Sequence, residues 1–575
     1  MRQLLARLRD RLRATSRSTY AIAAIIAVAT LLKLILAASQ GVSAEGYQLF
    51  DDADFLRGAY YIAHGKWLGP YDSFTLIKGP FFPMWMAAIS KLGAPLPLAN
   101  QVLYAAACGL VVFVTLPFLR NKWASTGLYL ALLFNPVVTA NGPATRVLRE
   151  NIYPALTLLV VACAIGLWTR TARPVRSWVG WAVALGVIGA AFWLTREEGV
   201  WLAPLLLLPV ASLLRPLREW TWRSTAQTLA PWLCAGILGV ALVAGAAAVN
   251  DRVYGLAVVT DVNSGAFPRA YGALLRITPD RWQPDAPVPT DVRQKAYAAS
   301  PTLAKIAPAL EWAISHSPPE VKTSTGELRG GWMFWTVRAA TAELGFYSSA
   351  AAAQDFYTKV ADEIDAAAAA GRVRAGPPRV GLTPPIRKEY LGPFVSSAGR
   401  AAIMLAGFSA MSAEPSRSVQ ATGTEESDFR AIVHAPLAGV DPPPALHAPS
   451  VWVLDAVLAL YRLAIPLAAV LGLVGTVVAV VEALRNRRNR AALNAAGLLI
   501  TLAGLIAARI VLISLVDVTS FEAVNALYLS PAYAIVILWA FLGTALLVRF
   551  AAKWRAERAT PGRPRSYPRS SPSPR

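Results

Sequence analysis

The chain has 575 residues, 55% of them hydrophobic, and a formal net charge of +21. That much apolar residue is too great for an ordinary soluble enzyme, and the basic excess does not build the face with groove aromatics that nucleic-acid binding needs. Three cysteines, all within apolar stretches, and four scattered histidines leave no disulfide framework, thiolate metal site or zinc spacing to read.

Stretches of about 20 apolar residues, each able to cross roughly 30 Å of hydrocarbon, predict an all-α polytopic membrane protein. About ten spans are expected, at 20–38, 97–119, 124–140, 152–169, 177–195, 199–214, 228–249, 451–482, 491–515 and 525–548. Basic clusters punctuate them. They lie at Arg2, Arg7, Arg9, Arg11, Arg13 and Arg17, at Arg120 and Lys122, at Arg170, Arg173 and Arg176, and at Arg215, Arg218 and Arg223. Two more follow at Arg485, Arg487, Arg488 and Arg490, and from Arg549 onward. With alternating spans every cluster falls on one side, which the positive-inside rule makes cytoplasmic. Both termini are then expected in the cytoplasm of a multi-pass cell-membrane protein. The loops at 39–80, 141–151 and 195–198 and the segment 250–450 face outward. The first span reads as an uncleaved anchor, although Val42-Ser43-Ala44 resembles a cleavage site.

The first outer loop carries FDDADFLRGAYYIAHGKWLGPYDSFTLIKGPFFP, in which Asp51, Asp52 and Asp54 open a helix predicted to run to Gly65. One Asp at a helix start caps free N–H groups and complements the dipole. Three acids in four residues, with Arg57 the only cation in the helix body, exceed that need. Clustered carboxylates shift one another's pKa and suit proton transfer. Lys78, close to Pro80, offers a cation for an anion. Asp52-Ala53-Asp54 also matches D-x-D, whose hard oxygens suit Mg²⁺ or Mn²⁺. No metal is assigned, and a divalent ion stands only as an option.

The second outer loop, ATRVLRENIYP, places Arg146, Arg149 and Glu150 at the mouth of the fourth span. They read either as snorkelling anchors or as a second charged wall. The third, LTREEGVW, sets Arg196, Glu197 and Glu198 in a tight hairpin between spans five and six. An arginine on the outer side runs against the positive-inside bias, which favours a role in holding an anion such as phosphate. Within the spans, Lys33 and Arg509 are expected to snorkel toward the outer leaflet, and Arg509 with Asp517 is a candidate border of a lipid-phosphate cavity.

The 250–450 segment is too long for plain loop and is expected to fold on the membrane surface, largely as helix. Residues 349–371 predict an amphipathic helix with Phe356, Val360 and Ile364 on its inward face and Gly371 as its stop. Shorter helical patterns lie near 302–315 and 331–344, and Pro-rich connectors at 284–289, 377–385 and 442–449. Four regions result: a transmembrane module over 1–249, the outer segment 250–450, a second set of spans over 451–548, and a basic tail over 549–575. After residue 560 the tail is expected to be disordered. No internal repeat is visible, which weighs against a transporter.

This pattern resembles the GT-C superfamily of polyprenyl-phosphate-sugar-dependent glycosyltransferases, in particular its protein O-mannosyltransferase and lipid A aminoarabinose transferase branch. Members open their first outer loop with an acidic pair, an aromatic four residues on and a small residue four later, here Asp51, Asp52, Phe55 and Ala59. Two interfacial helices then meet near a Lys-Pro-Pro element, here Lys78-Gly79-Pro80. The likeness covers roughly residues 20–215. It implies that Asp51 is the catalytic base, with Asp52 its neighbour, and that Lys78 meets the donor phosphate. The implied activity is inverting transfer of a sugar from a polyprenyl-phosphate carrier to a glycan, lipid or protein hydroxyl on the outer face of the bilayer. Ile77 replaces the acid or His that many members carry, and Gly79 replaces the first Pro. The competing reading is a transporter or flippase of a lipid-linked glycan, which would need a polar path across the bilayer.

Overall fold

The computed structural model describes residues 17–44, 51–140, 143–171, 173–213, 221–414 and 423–559. The arginines from Arg2 to Arg13, Arg215, Arg218 and the tail from residue 560 lie outside them. Among the described residues the regular structure is helical, with only isolated β-bridges. In chain order the helices are α1 (Arg17–Ala38), α2 (Asp51–Ala63), α3 (Phe81–Lys91), α4 (Leu96–Leu119), α5 (Lys122–Leu133), α6 (Tyr153–Trp168), α7 (Val175–Thr195), α8 (Leu207–Leu213) and α9 (Trp222–Tyr254). Next come α10 (Ala266–Leu275), α11 (Thr290–Ala299), α12 (Pro301–Ala304), α13 (Ala307–His316), α14 (Gly330–Glu343), α15 (Ala350–Ala369), α16 (Leu391–Gly407) and α17 (Gly423–Val433). Finally, α18 (His447–Arg485), α19 (Arg490–Thr519) and α20 (Ala526–Ala559) close the chain.

Seven of these, α1, α4, α7, α9, α18, α19 and α20, are long and apolar enough to cross a bilayer. Their outward faces carry bare aliphatics such as Leu463 and Val240, 78% and 70% exposed, as lipid contact demands. The protein is therefore polytopic. The other three expected spans are shorter helical pieces: α5 (12 residues), α6 (16 residues), and a 3₁₀ segment Glu197–Leu206 running into α8. In α6 every residue but Leu159 is buried. A helix that is apolar all round belongs inside a bundle, which is where α6 lies, against α4 and α7.

α2 and α3 form the interfacial pair of the first loop. Arg57 bridges Asp54 at 3.1 Å and Asp72 at 2.6 Å, while Asp72 accepts from the Phe74 and Thr75 amides. The turn between them is pinned to the end of α9 by Trp67 Nε1 on Asn250 (2.8 Å) and by Tyr254 O–H on Gly69 O (2.9 Å). After α1, Val42 and Ser43 are buried and bridge Leu437 and Arg146.

The outer segment divides in two. Residues from Val262 to Val373 build a core of their own, which also takes in Ile77 of the first loop. Farther on, Ala401, Leu405, Phe429 and Ile432 join the core of the membrane helices instead. α15 runs as its pattern predicts: Ser349 caps it by accepting from the Ala352 amide, Gly371 turns the chain with φ +69°, and Phe356, Val360 and Ile364 are buried. Each of those three side chains contributes about 1.5–3 kcal/mol by leaving water.

Candidate active site

The α2 start, the Lys78 turn, the Arg149 turn and the hairpin after α7 meet at one end of the bundle, beneath the core built by α10–α15. Lys78 Nζ lies 2.7 Å from Asp51 Oδ1 and 5.2 Å from the centre of the Trp335 ring. A cavity of about 290 Å³ opens here, lined by Lys78, Arg149, Glu197, Glu198, Asn263 and Trp335 among others. Two cations and two carboxylates thus face a space roofed by an aromatic from α14.

Gly79 shapes the turn. A Cβ there would stand 2.0 Å from the Leu194 carbonyl oxygen and 2.7 Å from its carbon. The turn packs on the backbone at the end of α7 with no room for a side chain.

Behind the cavity runs a chain of buried ion pairs. Arg196, 1% exposed, pairs with Glu150 and lies 2.8 Å from Glu198; Arg509, fully buried, lies 3.1 Å from the other Glu198 oxygen. The Arg196 guanidinium also faces the rings of Tyr153 and Tyr528, at 5.7 and 5.3 Å. Arg149 donates to Thr195 O at 3.3 Å and lies 3.8 Å from Glu197. Burial disfavours the ionised form of Glu198, but Arg196 and Arg509 beside it hold its carboxyl far below the usual range.

The acidic cluster divides by environment. Burial alone would raise Asp51, yet Lys78 and then Arg149 bring it down to about 2. Asp52 is fully buried and bound by Arg146, which ties the second loop onto α2. Asp54 is pushed up to about 7: burial dominates, Asp51 and Asp72 add to it, and Arg57 and Lys78 oppose it.

Of the residues singled out in the sequence, Lys78, Arg149, Glu197 and Glu198 line the cavity and Asp51 reaches it through Lys78. Asp52, Arg146, Glu150, Arg196 and Arg509 stand behind or beside it in ion pairs. Three expectations change. Neither Lys33 nor Arg509 snorkels: Lys33 is 1% exposed, inside the helix packing, and Arg509 is fully buried on the Tyr528 carbonyl and Glu198. Asp517 does not face Arg509 but takes Arg400 at 2.6 Å, Ser397, and the Ala523 and Val524 amides, closing the α19–α20 turn. The D-x-D carboxylates turn to different arginines, Arg146 and Arg57. Among the described residues no three His, Cys, Asp or Glu side chains cluster as a metal site would require.

Sequence reasoning missed the lining from the outer segment: Val262, Asn263, Phe334, Trp335 and Leu382. The aromatic run Trp332–Trp335 was the available signal, since such residues gather where a binding surface needs large, rigid contact area.

No family model matches the chain, and no curated protein matches it. Among solved structures it is similar to ArnT from Cupriavidus metallidurans in the apo state, at 17% identity and a TM-score of 0.32. It is also similar to the same protein bound to undecaprenyl phosphate, at 15% identity and a TM-score of 0.29. Both matches cover 94% of this chain and 80% of the other.

Proposed function

We propose that the chain is an integral membrane glycosyltransferase that uses a polyprenyl-phosphate-linked sugar and works at the extracytoplasmic face, with both termini in the cytoplasm. The observation that carries this reading is the Asp51–Lys78 pair at the edge of a cavity shared by the short loops between the membrane helices and the 250–450 segment. A carboxylate placed to take a proton, beside a cation placed to hold an anion, supports transfer from a lipid phosphate.

In the proposed reaction the acceptor hydroxyl oxygen attacks the anomeric carbon and its proton passes to the Asp51 carboxylate. The bond from that carbon to the phosphate oxygen breaks, and the lipid phosphate leaves with the electron pair on the opposite face, so the configuration inverts. Lys78 and Arg149 stabilise the charge that develops on the leaving oxygen. Glu198, held ionised by Arg196 and Arg509, fixes the far wall of the cavity. Arg196 itself acts through Glu198, since its buried ion pairs keep it from a phosphate.

The resting pair also implies an exchange. An entering phosphate competes with Asp51 for Lys78, and once the cation turns to the donor the carboxylate becomes a stronger base. A transporter is less well supported, because the charged groups gather at one end of the helices. Titration of purified protein with polyprenyl phosphate tests the phosphate assignment. Lys78→Ala and Arg149→Ala each weaken binding about tenfold or more, as loss of a charge-assisted hydrogen bond does, and Lys78→Arg restores it only partly. Unchanged affinity in both alanine variants would refute it.

A further inference from the structure

A second cavity, of about 320 Å³, lies in the outer segment between residues 275–287 and 376–390. That size is in the range of small-molecule sites. It shares no lining residue with the Lys78 cavity, yet one stretch of chain borders both. Leu382 lines the Lys78 cavity, while Arg379 before it and Pro384 after it line the second. The 376–390 stretch is a partition between them.

The walls are built and held. Ile277 and Ala375 form an antiparallel bridge, Thr278 N–H donates to Arg374 O at 2.9 Å, and Gly376 N–H to Arg276 O at 2.7 Å. Prolines at 377, 378, 384 and 385 stiffen the partition further. Three arginines, Arg276, Arg379 and Arg387, line the cavity and no carboxylate does. Arg276 is 8% exposed; its Nη1 lies 3.1 Å from Asp365, while its Nε is buried with no hydrogen-bond partner. The Arg379 Nε is in the same condition, although its Nη2 donates to Thr383 O at 2.6 Å. A buried donor without a partner costs free energy, and a ligand oxygen relieves that cost. Trp282 and Tyr390 meet edge to face across 5.4 Å on the same lining. An aromatic face beside guanidinium donors fits a ring with apolar C–H edges and an anionic substituent.

We propose that this cavity binds a sugar ring bearing one anionic group, carboxylate or phosphate, as a subsite for the acceptor beside the donor cavity. The binding site stands on its own geometry; its assignment to the acceptor rests on the glycosyltransferase reading above. Trp282 stacks on the ring, and Arg276 with Arg379 holds the anion.

Calorimetric titration of the full chain in detergent with glucuronate, glucose 6-phosphate, glucose and inorganic phosphate tests it. At least one anionic sugar binds about tenfold or more tightly than glucose and than inorganic phosphate. Trp282→Ala and Arg379→Ala each lower that affinity about tenfold, while polyprenyl phosphate affinity and melting temperature stay as in the wild type. Glucose binding as well as the anionic sugars, inorganic phosphate binding as well as glucose 6-phosphate, or variants that keep wild-type sugar affinity would each overturn the subsite. Loss of polyprenyl phosphate binding by the wild type, with sugar binding intact, would strike the donor reading and leave the site standing.

Discussion

Two opposing forces act on the Asp51 carboxyl. Burial pushes its pKa up, and Lys78 at 2.7 Å, with Arg149 behind, pulls it down to about 2. The pair has a consequence for variants. Asp51→Asn removes the base and also frees Lys78, so it abolishes transfer while binding polyprenyl phosphate at least as tightly as the wild type. Lys78→Ala shows the reverse split, with donor binding weakened first. Turnover of Asp51→Asn near the wild-type rate, measured with saturating donor, would place the base elsewhere. Asp54 makes a different prediction. Its carboxyl, normally near 4, sits near 7 in the folded protein, so the native state holds a proton that the unfolded chain releases between those values. Its contribution to stability is therefore greatest below about pH 4 and declines as pH rises through 7. Asp54→Asn removes that decline and raises stability at pH 8 by on the order of 2–4 kcal/mol. Melting curves at pH 5 and pH 8 check it: a gap between variant and wild type that fails to widen with pH contradicts the assignment.

Among elements, the Lys78 turn depends on contacts from both sides. Below it, Gly79 lies on the α7 backbone. Gly79→Ala forces the turn away, costing about 1–3 kcal/mol by overpacking and moving Lys78, so donor affinity falls with stability in a titration and a melt. A Gly79→Ala protein with wild-type affinity and melting temperature contradicts the close approach. Above it, Arg338 and Asp261, both almost wholly buried, lie 3.0 Å apart. Arg338 also donates to Asp261 Oδ2 at 3.1 Å and to Ser73 O, and Asp261 N–H to Leu76 O at 2.9 Å. This pair clamps the outer core onto the loop that leads to Lys78. Arg338→Leu strands a buried carboxylate and destabilises by about 3–5 kcal/mol, while Arg338→Leu with Asp261→Leu loses less. Thermal melts of both single variants and of the double variant decide: a double loss equal to the sum of the two single losses would mean the charges are not coupled.

For the whole molecule, hydropathy and charge made the helical membrane architecture legible, because apolar length is a direct requirement of a bilayer. They do not fix helix length: α6 is a 16-residue apolar helix enclosed by protein, and the stretches at 124–140 and 199–214 also form shorter helical pieces. The acidic start of α2 and the Lys78 turn were legible as candidate chemistry, since three acids in four residues exceed any capping need. Their pairing was not. Nothing local to Arg196 reveals that Glu150 and Glu198 neutralise it, and nothing near Lys78 reveals Trp335, which arrives from the far side of a long outer segment. The sequence reads that segment as one outer region, whereas its first part has a separate core and its last part joins the core of the membrane helices. Excising it would unbury Ile77 and release the Lys78 turn, so point variants are the sharper probes of the site.

The central claim is that this end of the bundle transfers sugar from a lipid phosphate. It is tested most directly by incubating purified wild type and Asp51→Asn with a panel of radiolabelled polyprenyl-phosphate sugars and envelope glycan, lipid and protein acceptors, and following label into product. The account predicts transfer from at least one donor by the wild type, with none above background by Asp51→Asn. Label that remains on the carrier with every donor, or transfer that persists in Asp51→Asn, would contradict it.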